Sequence, residues 1–213
     1  MTSLTDARLY TFVDTSYLHG REPETVARQL LDGGADLIQL RAKDWPVAKV
    51  RQVAERLLPL TEAAGAALVI NDHWEVATEL GAPLCHLGQE DCFGAGHRHA
   101  AELPPSARRP VGLGLSTHAP DQAQRALAAA PAYVAIGPVF ATATKPQAQP
   151  VTLDYVRWAA AHVTLPWFAI GGITLGNLDQ LLAAGARRVA VVSAILEAAD
   201  LARACQQFKE RLR

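Results

Sequence analysis

Leu68-Val69-Ile70-Asn71-Asp72 is an apolar run that ends abruptly in two polar residues. The same device recurs on both sides. Upstream, Ile38 leads into Gln39-Leu40-Arg41-Ala42-Lys43; downstream, Leu84-Cys85 leads into His86-Leu87-Gly88-Gln89-Glu90-Asp91. The run 111–115 leads into Ser116-Thr117-His118, and the run 133–136 into Gly137-Pro138-Val139-Phe140-Ala141-Thr142-Ala143-Thr144-Lys145. Phe168-Ala169-Ile170 leads into Gly171-Gly172, and the run 189–192 into Ser193. If each run is a strand, this chemistry lies at the carboxyl ends of strands, where an α/β barrel carries its active site.

Working outward, the pattern predicts strands over 9–13, 37–40, 67–70, 84–86, 111–115, 132–136, 167–170 and 189–192. Helical spacing fills the gaps at 23–31, 47–64, 74–80, 120–130, 153–162 and 175–184, with a weaker helix over 94–103. A last helix runs from 194, or a little later, to 212. Pro23 suits a first helical turn, and Gly33-Gly34, Gly65, Gly81 and Gly185 supply stops. Strand starts fall roughly 20 to 30 residues apart, as β-α units require. Eight such units predict a single α/β domain over 1–213, a closed (β/α)8 TIM barrel in preference to a doubly wound open sheet.

Bulk properties narrow the function. The 213-residue chain is half apolar, 19% charged and of net charge −1, so a general nucleic-acid surface is not expected, although a local cationic pocket is compatible. No apolar stretch reaches the ~20 residues of a membrane helix, and the first residues lack the basic start and apolar core of a signal peptide. The cysteines are Cys85, Cys92 and Cys205, an odd number without a C-x-x-C pair. A disulfide scaffold is therefore not expected, and the reading is a cytoplasmic protein.

The strand-end residues sort by chemistry. Arg41, Lys43 and Lys145 follow the second and sixth strands and suit a polyanion such as pyrophosphate; the alternative is three solvated surface cations. Asp72 and Asp91 follow neighbouring strands and suit Mg²⁺, which bridges a few carboxylates to phosphate oxygens; the alternative is capping. Gly171-Gly172 and Ser193 follow the seventh and eighth strands, where barrels bind phosphate through backbone N–H groups. Thr142 and Thr144 add hydroxyls after the sixth. Gln39 and Asn71 carry amides able to read the edge of a heteroaromatic ring, or to cap loops. Ser116 suits an anion or a helix cap, and His86 reads as a structural histidine rather than a base.

Taken together and in this order, the segments at 39–43, 70–72, 86–91, 116–118, 137–145, 170–173 and 191–195 make the chain resemble the thiamine-phosphate synthases over 9–195. The resemblance implies a barrel enzyme, a transferase of thiamine biosynthesis. It joins 4-amino-2-methyl-5-hydroxymethylpyrimidine diphosphate to a thiazole phosphate, free or carboxylated, giving thiamine phosphate and pyrophosphate, with CO₂ in the carboxylated case. It implies that Gln39, Leu40, Arg41, Ala42, Lys43 and Asn71 hold the pyrimidine diphosphate and that Asp72 and Asp91 bind Mg²⁺ as cofactor. Ser116 and Lys145 then contact the diphosphate, and Thr142, Ala143 and Thr144 line the thiazole phosphate site. Gly172, Val192 and Ser193 cradle its phosphate. Arg41, Lys43, Ser116 and Lys145 become the expected catalytic set. The implied partners are these small molecules, with neither nucleic acid nor membrane, and a homo-oligomer is compatible.

Four places depart from the family pattern. His73 stands where Tyr or Arg is frequent, Pro83-Leu84-Cys85 replaces a small-Gly-Val segment, Thr152 stands where glycine is frequent, and Trp45 is unusual. None removes a phosphate or metal residue. The competing readings are a thiazole tautomerase, which has no use for a diphosphate and metal site, and a non-catalytic thiazole phosphate-binding barrel.

Overall fold

Each apolar run becomes a strand, and the eight strands pair in sequence order, all parallel, into a closed barrel. The computed structural model describes residues 3–142 and 149–212. The strands are β1 (Leu9–Asp14), β2 (Leu37–Arg41), β3 (Ala67–Asn71), β4 (Leu84–Leu87), β5 (Gly112–Thr117), β6 (Tyr133–Ile136), β7 (Trp167–Ile170) and β8 (Val189–Ala190). Closure comes from β1 against β8, with Leu9 opposite Val189 and Tyr10 opposite Ala190. The helices are α1 (Pro23–Asp32), α2 (Val47–Ala63), α3 (Trp74–Leu80), α4 (Gln89–Gly94), α5 (Pro120–Ala128), α6 (Thr152–His162), α7 (Leu178–Ala183), α8 (Ser193–Leu196) and α9 (Leu201–Arg211).

The outer layer follows from helical periodicity. Val26, Ala27 and Leu30 of α1, and Val50, Val53, Ala54 and Leu57 of α2, fall at three- and four-residue spacing and are buried against the sheet. At the amino-terminal foot of the barrel, Asp36 accepts backbone N–H groups of Arg8 and Leu9 at 2.7 and 2.8 Å. Its carboxylate also receives Lys209 Nζ of α9 at 2.7 Å, tying the last helix to the first two strands.

Inside the barrel, Tyr10, Tyr133 and Phe168 meet edge to face with ring centroids 5.4–5.9 Å apart, and Phe12 stacks on Tyr10 at 5.1 Å. Gly114 creates that packing. A Cβ there would lie 2.2 Å from the Tyr133 ring, so the strand opposite the ring must lack a side chain. This core forms a floor, and the strand ends above it form the rim.

Two helical segments and one strand differ from the sequence reading. The weaker helix over 94–103 is replaced by α4, which starts at Gln89 and places Glu90 and Asp91 in its first turn, and by a short 3₁₀ turn at Ala100–Glu102. Acidic side chains suit a helix start. The last helix is two helices, α8 and α9, because the Asp200 side chain accepts the Arg203 N–H at 2.9 Å and opens a new start. The eighth strand stops at Ala190 because Val192, at φ −108° and ψ −91°, turns the chain into α8. Among the described residues no helix is long and apolar enough to cross a membrane.

Candidate active site

The register explains why the polar signatures converge. Alternate residues of a strand face the same side, and the pairs Phe12↔Gln39, Asn71↔His86 and Ser116↔Ala135 carry the inward side around the barrel. One pocket opens at the carboxyl ends of the strands with roughly 1080 Å³ of space including its mouth. Its wall includes Gln39, Arg41, Lys43, Asn71, Asp72, Asp91, Ser116, Thr142, Gly172, Val192 and Ser193, so most residues picked from the sequence come together. Leu40 and Ala42 do not: both are buried, and neither lines the pocket. Leu40 lies between Gln39 and Arg41 and faces the helical layer, the side opposite its two neighbours. Ala143, Thr144 and Lys145 lie outside the described residues.

The cationic side is organised by a residue the sequence reading passed over. Asp14, at the end of β1, is 1% exposed and accepts Arg41 Nη1 at 2.9 Å. Its other oxygen accepts the Ser16 backbone N–H at 3.0 Å, so the carboxylate is fixed and the guanidinium is aimed by it. Lys43 is half-exposed, with Nζ 3.9 Å from Asp72 Oδ2.

Asp72 adopts φ +66°, a conformation short polar residues tolerate, and its N–H donates to the His86 carbonyl at 2.9 Å. Asp91, one strand further on, folds its carboxylate back over Gly88, where a Cβ would lie 2.6 Å from Oδ2. Both carboxylates border the pocket. Among the described residues, no group of three or more His, Cys, Asp or Glu side chains could hold a metal alone. Two carboxylates beside an anion pocket nevertheless fit Mg²⁺, which takes one or two such ligands and completes its shell with water and phosphate oxygens.

On the opposite side, the loop after β7 passes against the loop after β6. Gly171 and Gly172 have φ of +102° and +62°, and a Cβ would meet Pro138 Cβ at 2.4 Å or the Ala141 carbonyl oxygen at 2.3 Å. Glycine is required on both grounds. Asn177, also missed, holds this turn: Nδ2 donates to the Gly172 carbonyl at 2.9 Å and Oδ1 accepts the Thr174 N–H at 2.8 Å. Ser193 begins α8, whose first N–H groups have no partner within the helix, next to that turn. His118 is anchored by its ring to the Gly137 carbonyl, and its backbone N–H donates to Gln122 Oε1 at 2.8 Å.

Beneath the rim runs a polar line, buried at Gln39, Tyr10 and Tyr133 and part-buried at His86. Gln39 Nε2 donates to Tyr10 Oη, Tyr10 and Tyr133 hydroxyls lie 2.9 Å apart, and Tyr133 Oη is 2.9 Å from His86 Nδ1. Burial pushes the Tyr10 and Tyr133 phenols far above the ordinary range, so both are neutral. The Cys85 thiol is likewise raised by burial, then by the charges of Asp72 and Glu75, and is no nucleophile.

The departures also have places. Thr152 stands at φ +63°, which is why glycine suits that position. His73 precedes α3 with Nδ1 3.3 Å from Glu75, and Lys49 Nζ sits 4.0 Å over the Trp45 ring. Neither His73 nor Trp45 lines the pocket.

A closed parallel barrel whose strand-end pocket gathers Arg41, Lys43, Asp72, Asp91, Gly172 and Ser193 is of the (β/α)8 class, whose active sites lie at that end. The sequence profile of the thiamine monophosphate synthase family matches residues 9–195, and the chain belongs to that family. It is 47% identical over 185 residues to the thiamine-phosphate synthase of Thermus thermophilus, with 85% of each chain covered. It is 41% identical over 217 residues to that of Acidothermus cellulolyticus, covering 99% of this chain and 97% of the other. The solved thiamine phosphate pyrophosphorylase of Pyrococcus furiosus superposes with a TM-score of 0.81 at 25% identity, over 97% and 95% of the chains.

Proposed function

We infer that the chain catalyses the thiamine-phosphate synthase reaction in this pocket. It couples 4-amino-2-methyl-5-hydroxymethylpyrimidine diphosphate with thiazole phosphate, giving thiamine phosphate and pyrophosphate. The observation that carries the reading is that one cavity gathers two sets of residues suited to anions, Arg41 and Lys43 in one and Gly172 and Ser193 in the other, with Gln39 and Asn71 on the same wall.

Arg41 and Lys43 stand where the diphosphate of the pyrimidine would bind, and Ser116 offers a hydroxyl across the pocket. Lys145 joins them in the proposal on the family resemblance. As the C–O bond to the leaving group lengthens, negative charge builds on pyrophosphate, and fixed cations stabilise that charge. Asp72 and Asp91 would hold Mg²⁺, which when bound supplies further charge neutralisation on the same phosphate oxygens. Gln39 and Asn71 would hold the ring. The electron-rich aminopyrimidine tolerates positive charge at its methylene carbon, and the thiazole nitrogen attacks there. No protein nucleophile is needed, and the buried thiols and phenols offer none. Gly172, Val192 and Ser193 would fix the thiazole phosphate together with Thr142, and Ala143 and Thr144 join them in the proposal on the family resemblance, so that orientation contributes much of the remaining acceleration.

The test is direct. Purified protein is incubated with both precursors, with and without Mg²⁺, and thiamine phosphate and pyrophosphate are measured. Formation that requires Mg²⁺ supports the proposal; equal formation in chelator removes the metal role, and no formation under either condition removes the coupling.

A further inference from the structure

The line Gln39–Tyr10–Tyr133–His86 is not needed to place phosphate or metal, yet it runs from the pocket wall at Gln39 through the buried phenols and back to the pocket wall at the part-buried His86. Tyr10 and Tyr133 are 1% and 0% exposed and Gln39 is 3% exposed, so water is no substitute partner within it. Among the described residues, no buried side-chain N or O atom lacks a hydrogen-bond partner.

The hydrogen count makes this line directional. Each phenol has one hydrogen, and an amide nitrogen can only donate. Gln39 Nε2 donates to Tyr10, so Tyr10 donates to Tyr133, and Tyr133 donates to His86 Nδ1. His86 Nδ1 is then an acceptor and its ring hydrogen sits on Nε2. The reverse order satisfies every group only if His86 carries its hydrogen on Nδ1 and the Gln39 amide is turned over, with Oε1 on Tyr10. A mixed order leaves either a buried hydroxyl hydrogen without an acceptor or the 2.9 Å Tyr10–Tyr133 contact without a hydrogen between its oxygens.

We propose that Tyr10, Tyr133 and His86 are positioning residues that fix which end of the Gln39 amide faces the substrate. In the observed state Nε2 is committed to Tyr10, and Oε1 is left to the pocket that Gln39 lines. That oxygen accepts from an exocyclic amino group and disfavours a ring oxo group in the same place. The relay thus selects an aminopyrimidine over its oxopyrimidine counterpart. This rests on the coupling reading above for its substrate, but the hydrogen order of the relay does not.

Two measurements test it. First, ¹⁵N NMR of the wild-type protein reads the His86 tautomer. The expected result is a neutral ring protonated on Nε2, shifting toward mixed tautomers in Tyr133→Phe; a ring protonated on Nδ1 in the wild type overturns the proposal. Second, kcat/KM is compared for the 4-amino and 4-oxo pyrimidine diphosphates. A site built to hydrogen-bond an N–H rejects an analogue lacking it strongly, so the amino preference is expected to fall at least ~10-fold in Tyr10→Phe and Tyr133→Phe. It should be retained in His86→Asn, whose side-chain oxygen can accept, and lost in His86→Leu, with the KM for thiazole phosphate unchanged throughout. Equal loss of both substrates, with the preference intact, overturns the proposal and leaves a merely structural role. If the wild type couples neither substrate, the functional reading fails, while the tautomer still decides the relay.

Discussion

Replacing Asp14 separates what the buried ion pair does for the fold from what it does for the pocket. Its side chain is fully buried and that of Arg41 is 16% exposed, with 2.9 Å between them. Breaking such a pair by removing one partner costs about 3–5 kcal/mol, because a charge is left without compensation. Arg41 borders the pocket and gains some water when freed, which places the cost near the lower end. Loss of the bond from Ser16 N–H adds about 1 kcal/mol. Asp14→Ala is therefore expected to destabilise by about 4 kcal/mol, which in a chain of this size lowers Tm by roughly 8–16 °C. Asp14→Asn keeps one acceptor oxygen, enough for one of the two neighbours, and loses the charge, so its effect should be smaller than that of Asp14→Ala. Thermal unfolding followed by circular dichroism measures both. A fall of less than about 2 °C in Asp14→Ala, or equal falls in the two variants, would refute the reasoning. Coupling kinetics on the same proteins add the second axis: kcat/KM for the pyrimidine diphosphate should drop about 10–100-fold as Arg41 loses its aim.

Asp91→Ala and Lys145→Ala should each reduce pyrophosphate release by roughly 100-fold while the protein remains folded; near wild-type turnover would end the diphosphate and metal assignment. Asn177→Ala should raise the KM for thiazole phosphate about tenfold and leave that for the pyrimidine diphosphate alone, since Asn177 braces only the turn at Gly172; equal rises would contradict this in steady-state assays. Thr152→Gly should raise Tm by about 2–4 °C, because a β-branched residue at φ +63° stores on the order of 1 kcal/mol; a lower Tm would show that the Thr152 hydroxyl matters more. Stability should fall in alkali. Burial raises the Cys205 thiol from 9.0 to about 12 and the Tyr155 phenol from 10.0 to about 12, and it lifts the Cys85, Tyr10 and Tyr133 groups too. Raised acid groups stabilise fully below their unfolded values and lose that contribution as pH rises above them, so Tm should be flat near pH 8 and decline from about pH 9 upward. An unchanged Tm at about pH 10.5 would exclude it.

The rim was legible because barrel chemistry sits in short polar tags after apolar runs, and Gln39, Arg41, Asn71 and Ser193 stand in such tags. Asp14 also follows an apolar run, but a lone acid at a strand end carries no mark of the arginine it meets on the next strand. The barrel interior was less legible still. Strands buried on both faces read as continuous apolar runs, so the inward set Tyr10, Phe12 and Tyr133 cannot be separated from the outward one. His86 reads as structural in the sequence, and its link to Gln39 stays hidden there because it needs side chains from four strands, β1, β2, β4 and β6, to meet inside the barrel. The break between α8 and α9 falls in Glu197-Ala198-Ala199-Asp200, where good helix formers hide it until Asp200 caps the following turn.

The contact of Gly171 and Gly172 with Pro138, Phe140 and Ala141 has a consequence for anyone reshaping this enzyme. Along that seam two backbones touch with nothing between them, so no substitution can add bulk there without parting the loops. New substrate preference would have to be written elsewhere, where Gln39, Asn71 and Ser116 present replaceable side chains to the cavity. One side of the mouth is thus closed to redesign by main-chain packing, and the other is open to it.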